Sequence, residues 1–267
     1  MGGCIAGLWC RNVAVLQSTE PEKLTSVRDA ASFVMLPFSN RIGHGKLNWQ
    51  GAHYSIHQNF APEPHAIHGI GWERKWIVQT QSSTHAVLQL EHHSDNHWPF
   101  SFVAEQRITL QENTLKMDLK ITNTDQHLAP VGLGWHPYFV KREGARFSFT
   151  STGRWEMGED KLPTSKTACE GISQITDSMS VDHCFDGWIG SAVLEDAIHR
   201  CHIQSNLNRL VVYTHPRLQS IAIEPVSHVN NALQIATDKI MAEDLGLKTL
   251  EQGESFECSM QIKVEAR

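Results

Sequence analysis

Phe102-Val103-Ala104-Glu105-Gln106-Arg107-Ile108-Thr109-Leu110-Gln111-Glu112-Asn113-Thr114-Leu115-Lys116-Met117-Asp118-Leu119-Lys120-Ile121 decides the fold class. Apolar side chains stand at Phe102, Ala104, Ile108 and Leu110, break at the polar Gln111-Glu112-Asn113, and resume as Leu115, Met117, Leu119 and Ile121. A period of two places alternate side chains on one face of an extended chain. Two such runs around a short polar turn predict an antiparallel hairpin with one face in water.

Shorter runs of the same kind recur at 47–56, 86–91, 210–213, 221–223 and 256–264, most of them separated by turn-forming residues. Helical period is weak throughout. The best helical candidate, 20–33, has a polar face but few apolar anchors, enough for a turn or two. Many short antiparallel strands predict an all-β chain packed as a large sandwich, with few short helices and with its chemistry on loops at one end or across one concave face. The polar, patternless stretch 158–180 reads as a long surface loop, not a linker, because strand-like material on both sides must pair across it. A single domain over residues 1–267 is the expectation for a β chain of this length.

The chain has 23 basic and 29 acidic residues, a formal charge of −6, and no run of five or six like charges. That argues against nucleic acid and anionic membranes as partners. Six cysteines are scattered without a C-x-x-C pair and read as reduced thiols. Met1-Gly2-Gly3-Cys4-Ile5-Ala6 resembles the start of a myristoylation signal but carries Ala6 where serine or threonine is needed. With neither a signal-peptide pattern nor an apolar run of about 18 residues, a cytoplasmic, soluble protein is expected.

Several short islands hold polar side chains in rigid settings. In Pro37-Phe38-Ser39-Asn40-Arg41-Ile42-Gly43 a proline and a glycine bracket an Asn-Arg pair. A guanidinium so held can give aligned hydrogen bonds to a ligand hydroxyl, pair with a carboxylate, or tie two loops together. In Pro64-His65-Ala66-Ile67-His68-Gly69-Ile70-Gly71-Trp72 the two histidines invite a metal reading, but a site needs three or four ligands and a chain with 16 histidines brings such pairs together by chance. In Gly134-Trp135-His136-Pro137-Tyr138-Phe139 an imidazole sits beside a rigid proline, with two aromatics placed to flank or floor a pocket.

After the long polar stretch comes Val181-Asp182-His183-Cys184-Phe185-Asp186-Gly187-Trp188, where Asp182 suits hydroxyl binding or a turn cap. Trp188 or Trp72 offers a stacking face for a sugar. Finally, Ile221-Ala222-Ile223-Glu224-Pro225 carries an acid on the face opposite Ile221 and Ile223, and Pro225 is expected to end regular pairing there. An ordinary glutamate pKa of about 4.3 makes Glu224 anionic at neutral pH, as a general base must be.

Five of these motifs, in order, resemble the aldose 1-epimerase (galactose mutarotase) family: Pro-Phe-Ser-Asn-Arg-Ile at 37–42, Ile-His-Gly at 67–69, His-Pro-Tyr-Phe at 136–139, Val-Asp-His-Cys-Phe at 181–185 and Ile-Glu-Pro at 223–225. The resemblance implies a galactose mutarotase-like supersandwich that binds a free hexose in an open cleft, with no metal and no organic cofactor, as a monomer or homodimer. It implies that Glu224 is the base at the anomeric hydroxyl, that His136 protonates the ring oxygen, and that His68 assists. Arg41 and Asp182 would hold sugar hydroxyls, with Asn40 and Trp72 beside them. It also implies a strand ahead of the Gly2-Gly3 turn, so a chain starting at Met1 is expected to need cover for the neighbouring edge. Three rivals are a hexose 6-phosphate epimerase, if Arg41, Arg74 and Lys75 converge on a phosphate, a sugar-binding or regulatory protein that does not catalyse, and a metal-dependent β-barrel isomerase or oxygenase using His65, His68 and a third ligand.

Overall fold

A computed structural model describes residues 2–215, 218–236 and 241–267. The hairpin forms as its alternation predicts. Phe102–Gln111 and Thr114–Asn123 pair antiparallel from Phe102↔Asn123 to Gln111↔Thr114, leaving the two-residue turn Glu112-Asn113. Leu115, Met117, Leu119 and Ile121 are buried, whereas Leu110 beside the turn is exposed. Gln106 falls on the buried face, where its amide donates to the Gly3 carbonyl at 3.0 Å.

This hairpin lies within a nine-stranded antiparallel sheet ordered Gly171–Ile175, Arg146–Thr150, Ser191–Glu195, His199–Ser205, Ser255–Ala266, Thr114–Asn123, Phe102–Gln111, His85–His92, Ile77–Gln81. A second sheet of eight runs Pro163–Ala168, Gly153–Met157, Asp182–Asp186, Arg209–Thr214, Ser220–Val226, Gly134–Trp135, Val34–Met35, with Tyr138–Val140 also beside Ser220–Val226. Between the sheets lies an apolar core to which the first contributes Met117, Phe147, Ile203 and Ile262 and the second Phe185, Leu210, Val212, Ile221 and Ile223. The expected sandwich is therefore present. No helix among the described residues is long and apolar enough to cross a membrane.

One expectation about the elements needs correction. The stretch 158–180 is no continuous loop: Pro163–Ala168 and Gly171–Ile175 form an edge strand in each sheet. An edge strand exposed on both faces has no apolar alternation to read, and its polar side chains discourage pairing with other chains. Residues 20–33 hold only two 3₁₀ turns, Pro21–Lys23 and Val27–Asp29, in keeping with their few anchors.

Pro225 also departs from its expected part. The strand Ser220–Val226 continues through it, with Leu210↔Pro225 and Arg209↔Val226 still in register. The interruption falls on the neighbouring segment instead. Tyr138–Val140 pairs with residues 220–222 and Gly134 with Val226, but the chain between leaves the ladder. The Ile223 N–H points at Pro137 (3.3 Å to its carbonyl), so the donorless nitrogen of Pro225, two residues on, faces the same side. With no donor at Pro225 the ladder is interrupted beside it, while Trp135 pairs with Val34 and the His136 N–H bonds the Phe33 carbonyl at 2.9 Å.

Candidate functional site

The pairings fix which side chains share the outer face of the eight-stranded sheet. Asp182, Tyr213, Ala222 and Tyr138 form one cross-strand row, and Cys184, Val211 and Glu224 form the next. Ile221, Ile223 and Phe139 alternate to the opposite face and enter the core. Of the two aromatics after His136, then, only Tyr138 reaches the cleft. The cleft over this face has a volume of about 750 Å³ and is lined by Arg41, His68, His136, Asp182 and Glu224, among others.

At its foot, His136 Nε2 lies 3.2 Å from Glu224 Oε1, with side chains 7% and 2% exposed. The His68 ring stands perpendicular to that of His136, at 89° with centroids 5.0 Å apart. Phe33 packs against both, 4.8 Å from His136 and 5.7 Å from His68, and Tyr138 lies against the His136 ring at 4.4 Å. His68 is held in left-handed backbone (φ 59) by its N–H to the Asn40 carbonyl at 2.7 Å. His68 Nδ1, His136 Nδ1 and Glu224 Oε2 are buried without a hydrogen-bond partner among the described residues. Buried polar atoms are seldom left so, and their clustering here marks a place for a polar ligand.

Burial raises the Glu224 carboxyl well above its ordinary range, with the Asp182 charge adding to the rise. Burial pushes His136 down to about 3 and carries His68 well below its usual value. The sequence expectation of a simply anionic glutamate is thereby corrected: desolvation penalises every charge at this spot. Across the 3.2 Å contact a proton can pass between the Glu224 oxygen and the His136 nitrogen, and groups this close titrate in coupled steps.

Arg41 and Asn40 also meet the cleft, Asn40 in left-handed backbone (φ 52). The guanidinium is not free. Glu63 accepts from Arg41 Nη2 at 3.0 Å and Nε at 3.5 Å, and from Lys161 Nζ at 2.7 Å. Burial pushes the Glu63 carboxyl up, but these two cations outweigh it and hold the group at about 2. Neither Glu63 nor Lys161 was legible as a site residue; the only signal was a carboxylate set between two prolines, Pro62 and Pro64.

Other candidates contribute less. Trp72 borders the cleft but is only 2% exposed, donates to the Gly69 carbonyl and packs on Phe33 at 5.4 Å, so it buttresses the wall and offers a sugar little face. Trp188 is a core residue whose indole donates to the Ser191 carbonyl. His65 uses both ring nitrogens on backbone, accepting from His44 N–H at 3.0 Å and meeting the Asp160 carbonyl at 2.9 Å. Among the described residues no group of three histidine, cysteine, aspartate or glutamate side chains is arranged to hold a metal ion. The imagined phosphate cluster does not assemble: Arg74 pairs with Asp95 at 2.6 Å, and neither Arg74 nor Lys75 lines the cleft.

The cleft thus carries carboxylates, imidazoles, phenols and a guanidinium on one face of a large antiparallel sandwich. The chain belongs to the aldose 1-epimerase family, whose sequence profile matches residues 1–263. It is 31% identical over 203 residues to the uncharacterized protein YphB of Escherichia coli K12, covering 73% of this chain and 67% of that protein. Among solved structures it is similar to an Escherichia coli K12 protein described as a candidate aldose 1-epimerase (TM-score 0.88, 26% identity, 100% of this chain and 94% of the other). The fold also matches galactose 1-epimerase from Lactobacillus acidophilus NCFM (TM-score 0.79, 18% identity, 99% and 89% covered).

Proposed function

We propose that this protein interconverts the α and β anomers of a free aldohexose by acid–base ring opening and reclosure, using its own side chains without a metal or organic cofactor. The contact between His136 Nε2 and Glu224 Oε1 supports this reading most directly, because the two oxygens on an anomeric carbon are themselves close neighbours and need a base and an acid side by side.

Glu224 takes the proton from the anomeric hydroxyl as the bond from C1 to the ring oxygen breaks. The bond's electron pair goes to the ring oxygen, which receives a proton from His136. The aldehyde turns about C1–C2. The former ring oxygen then attacks the other carbonyl face, returning its proton to His136, while the carbonyl oxygen regains one from Glu224. Protons balance over the cycle. His68 assists at the ring oxygen, and Arg41, Asp182 and Asn40 hold hydroxyls. A positioned base and acid each supply about 10²- to 10⁴-fold, enough for a reaction that already proceeds in water. The hexose 6-phosphate reading loses support from the pairing of Arg74 with Asp95 and of Arg41 with Glu63. All six cysteines are free thiols, in keeping with a reducing, cytoplasmic setting.

Polarimetry of freshly dissolved α-glucose and α-galactose tests the function. Catalytic amounts of protein are expected to hasten the approach to equilibrium rotation, equally before and after dialysis against a chelator. No acceleration with any free aldose would favour a binding protein, and loss on chelation would favour a metal site.

The pH profile offers a second check. Below about pH 3 the pair gains a second proton at His136 and loses its base; on the alkaline side it loses its last proton, and with it the acid. The acid limb of kcat/KM is therefore expected near pH 3, with the alkaline limb above the ordinary glutamate range. An acid limb near 6.5 would mean that His136 titrates as a solvated imidazole.

A further inference from the structure

We propose that Glu63 is a positioning residue for substrate binding: it fixes the guanidinium of Arg41 from behind, so that only one edge of that group is left to the sugar. The inference rests on the assignment of Arg41 to sugar hydroxyls.

Glu63 engages the Nε–Nη2 edge of Arg41 side-on, and the opposite side at Nη1 carries only a 3.4 Å contact to Asn40 Oδ1. The Nη1–Nη2 edge is thereby the one available to a ligand. Paired contacts of this kind set direction as well as energy, because the guanidinium is planar and its donors are fixed in a fork. The carboxylate has a firm mounting. The Glu63 N–H donates to the Phe60 carbonyl at 2.7 Å, and two residues on His65 is pinned on both ring nitrogens. Lys161 reaches Glu63 from the turn between Gly153–Met157 and Pro163–Ala168, and His65 meets the Asp160 carbonyl beside it. The hairpin tip and the 60–65 loop thus close on one carboxylate whose side chain is 11% exposed, at the wall of the cleft.

The pairing also adjusts charge. Arg41 alone would put an uncompensated cation beside His68 and Glu224, both of which respond to it. Glu63 sets a carboxylate against that cation at 3.0 Å.

The test is a double-mutant cycle on Glu63 and Arg41, joined to a measurement independent of turnover. Glu63→Gln keeps the shape and removes the charge; it is expected to raise KM about tenfold with kcat within about twofold, the mark of lost uniform binding. In an Arg41→Ala background the same change is expected to have little further effect on KM. Lys161→Met is expected to raise KM less than Glu63→Gln. In ¹⁵N-resolved NMR the Arg41 Nε–H is expected to be protected from exchange in the wild type and to lose that protection in Glu63→Gln. Equal effects of Glu63→Gln with and without Arg41, a fall in kcat at constant KM, or an unchanged Nε–H signal would each overturn the proposal. Failure of the epimerase reading is distinguishable, since it would appear as no anomer interconversion by the wild type while the NMR comparison still reports on the clamp.

Discussion

Glu224→Gln is expected to lower kcat for anomer interconversion by about 10³-fold or more while leaving sugar affinity within a few-fold, the loss of one positioned base. The substitution nearly preserves volume, which matters for a side chain 2% exposed, and its amide can still donate to His136 Nε2 across the present 3.2 Å contact. It removes the one feature the reaction requires, an oxygen able to take the anomeric proton. A loss in kcat and kcat/KM together identifies a group that acts in the transition state. Polarimetric rates beside calorimetric affinities separate the two quantities. Turnover within tenfold of wild type would remove Glu224 from the base role, and a matching loss of affinity would make it a binding residue.

Gly69→Ala is expected to cost more than about 3 kcal/mol of stability and lower the melting temperature by on the order of 10 °C. Gly69 has φ +69, and a Cβ built there would meet the Leu36 carbonyl. That carbonyl is already committed, accepting from Ile70 N–H at 2.8 Å and Gly71 N–H at 3.0 Å, so it has no room to withdraw. The strain falls next to His68, itself in left-handed backbone, so surviving folded protein is expected to have a displaced imidazole and reduced kcat. Gly51→Ala is the control, because Gly51 has a similar φ of +78 but nothing near its missing Cβ. It is expected to cost about 1 to 2 kcal/mol, the left-handed penalty alone. Calorimetric melting of the two variants reads the difference; equal costs would mean that the close approach to Leu36 is relieved without consequence.

How far the chain could be read depended on where each residue ends up. Leu115, Met117, Leu119 and Ile121 were legible because one face of their strand is buried and the other is wet. Residues 163–175 were not, since strands at both sheet edges face water on either side and lose the alternation that marks a strand. Glu224, His136 and His68 could be picked out as an acid and two imidazoles in rigid local settings, and the structure brings all three to one cleft. Trp72 and Trp188 looked equally suited to stacking, yet an aromatic beside a glycine reads the same whether it lines a pocket or fills the core. Glu63 carries no local signal of its part, because its partner Lys161 lies far along the chain. The part played by Pro225 is hidden for a related reason: the missing donor matters to the adjacent strand, whose identity depends on long-range pairing.

The order of amino acids alone determined the extended, two-residue repeat and the inventory of proton-carrying side chains, because both follow from local backbone geometry and side-chain chemistry. Only the tertiary structure decided that the Glu224 carboxyl touches His136, that burial moves both toward their uncharged forms, and that Arg41 is held by Glu63. Those properties arise from strand pairings between distant segments and from the exclusion of water around them, and neither is written in any short stretch of sequence.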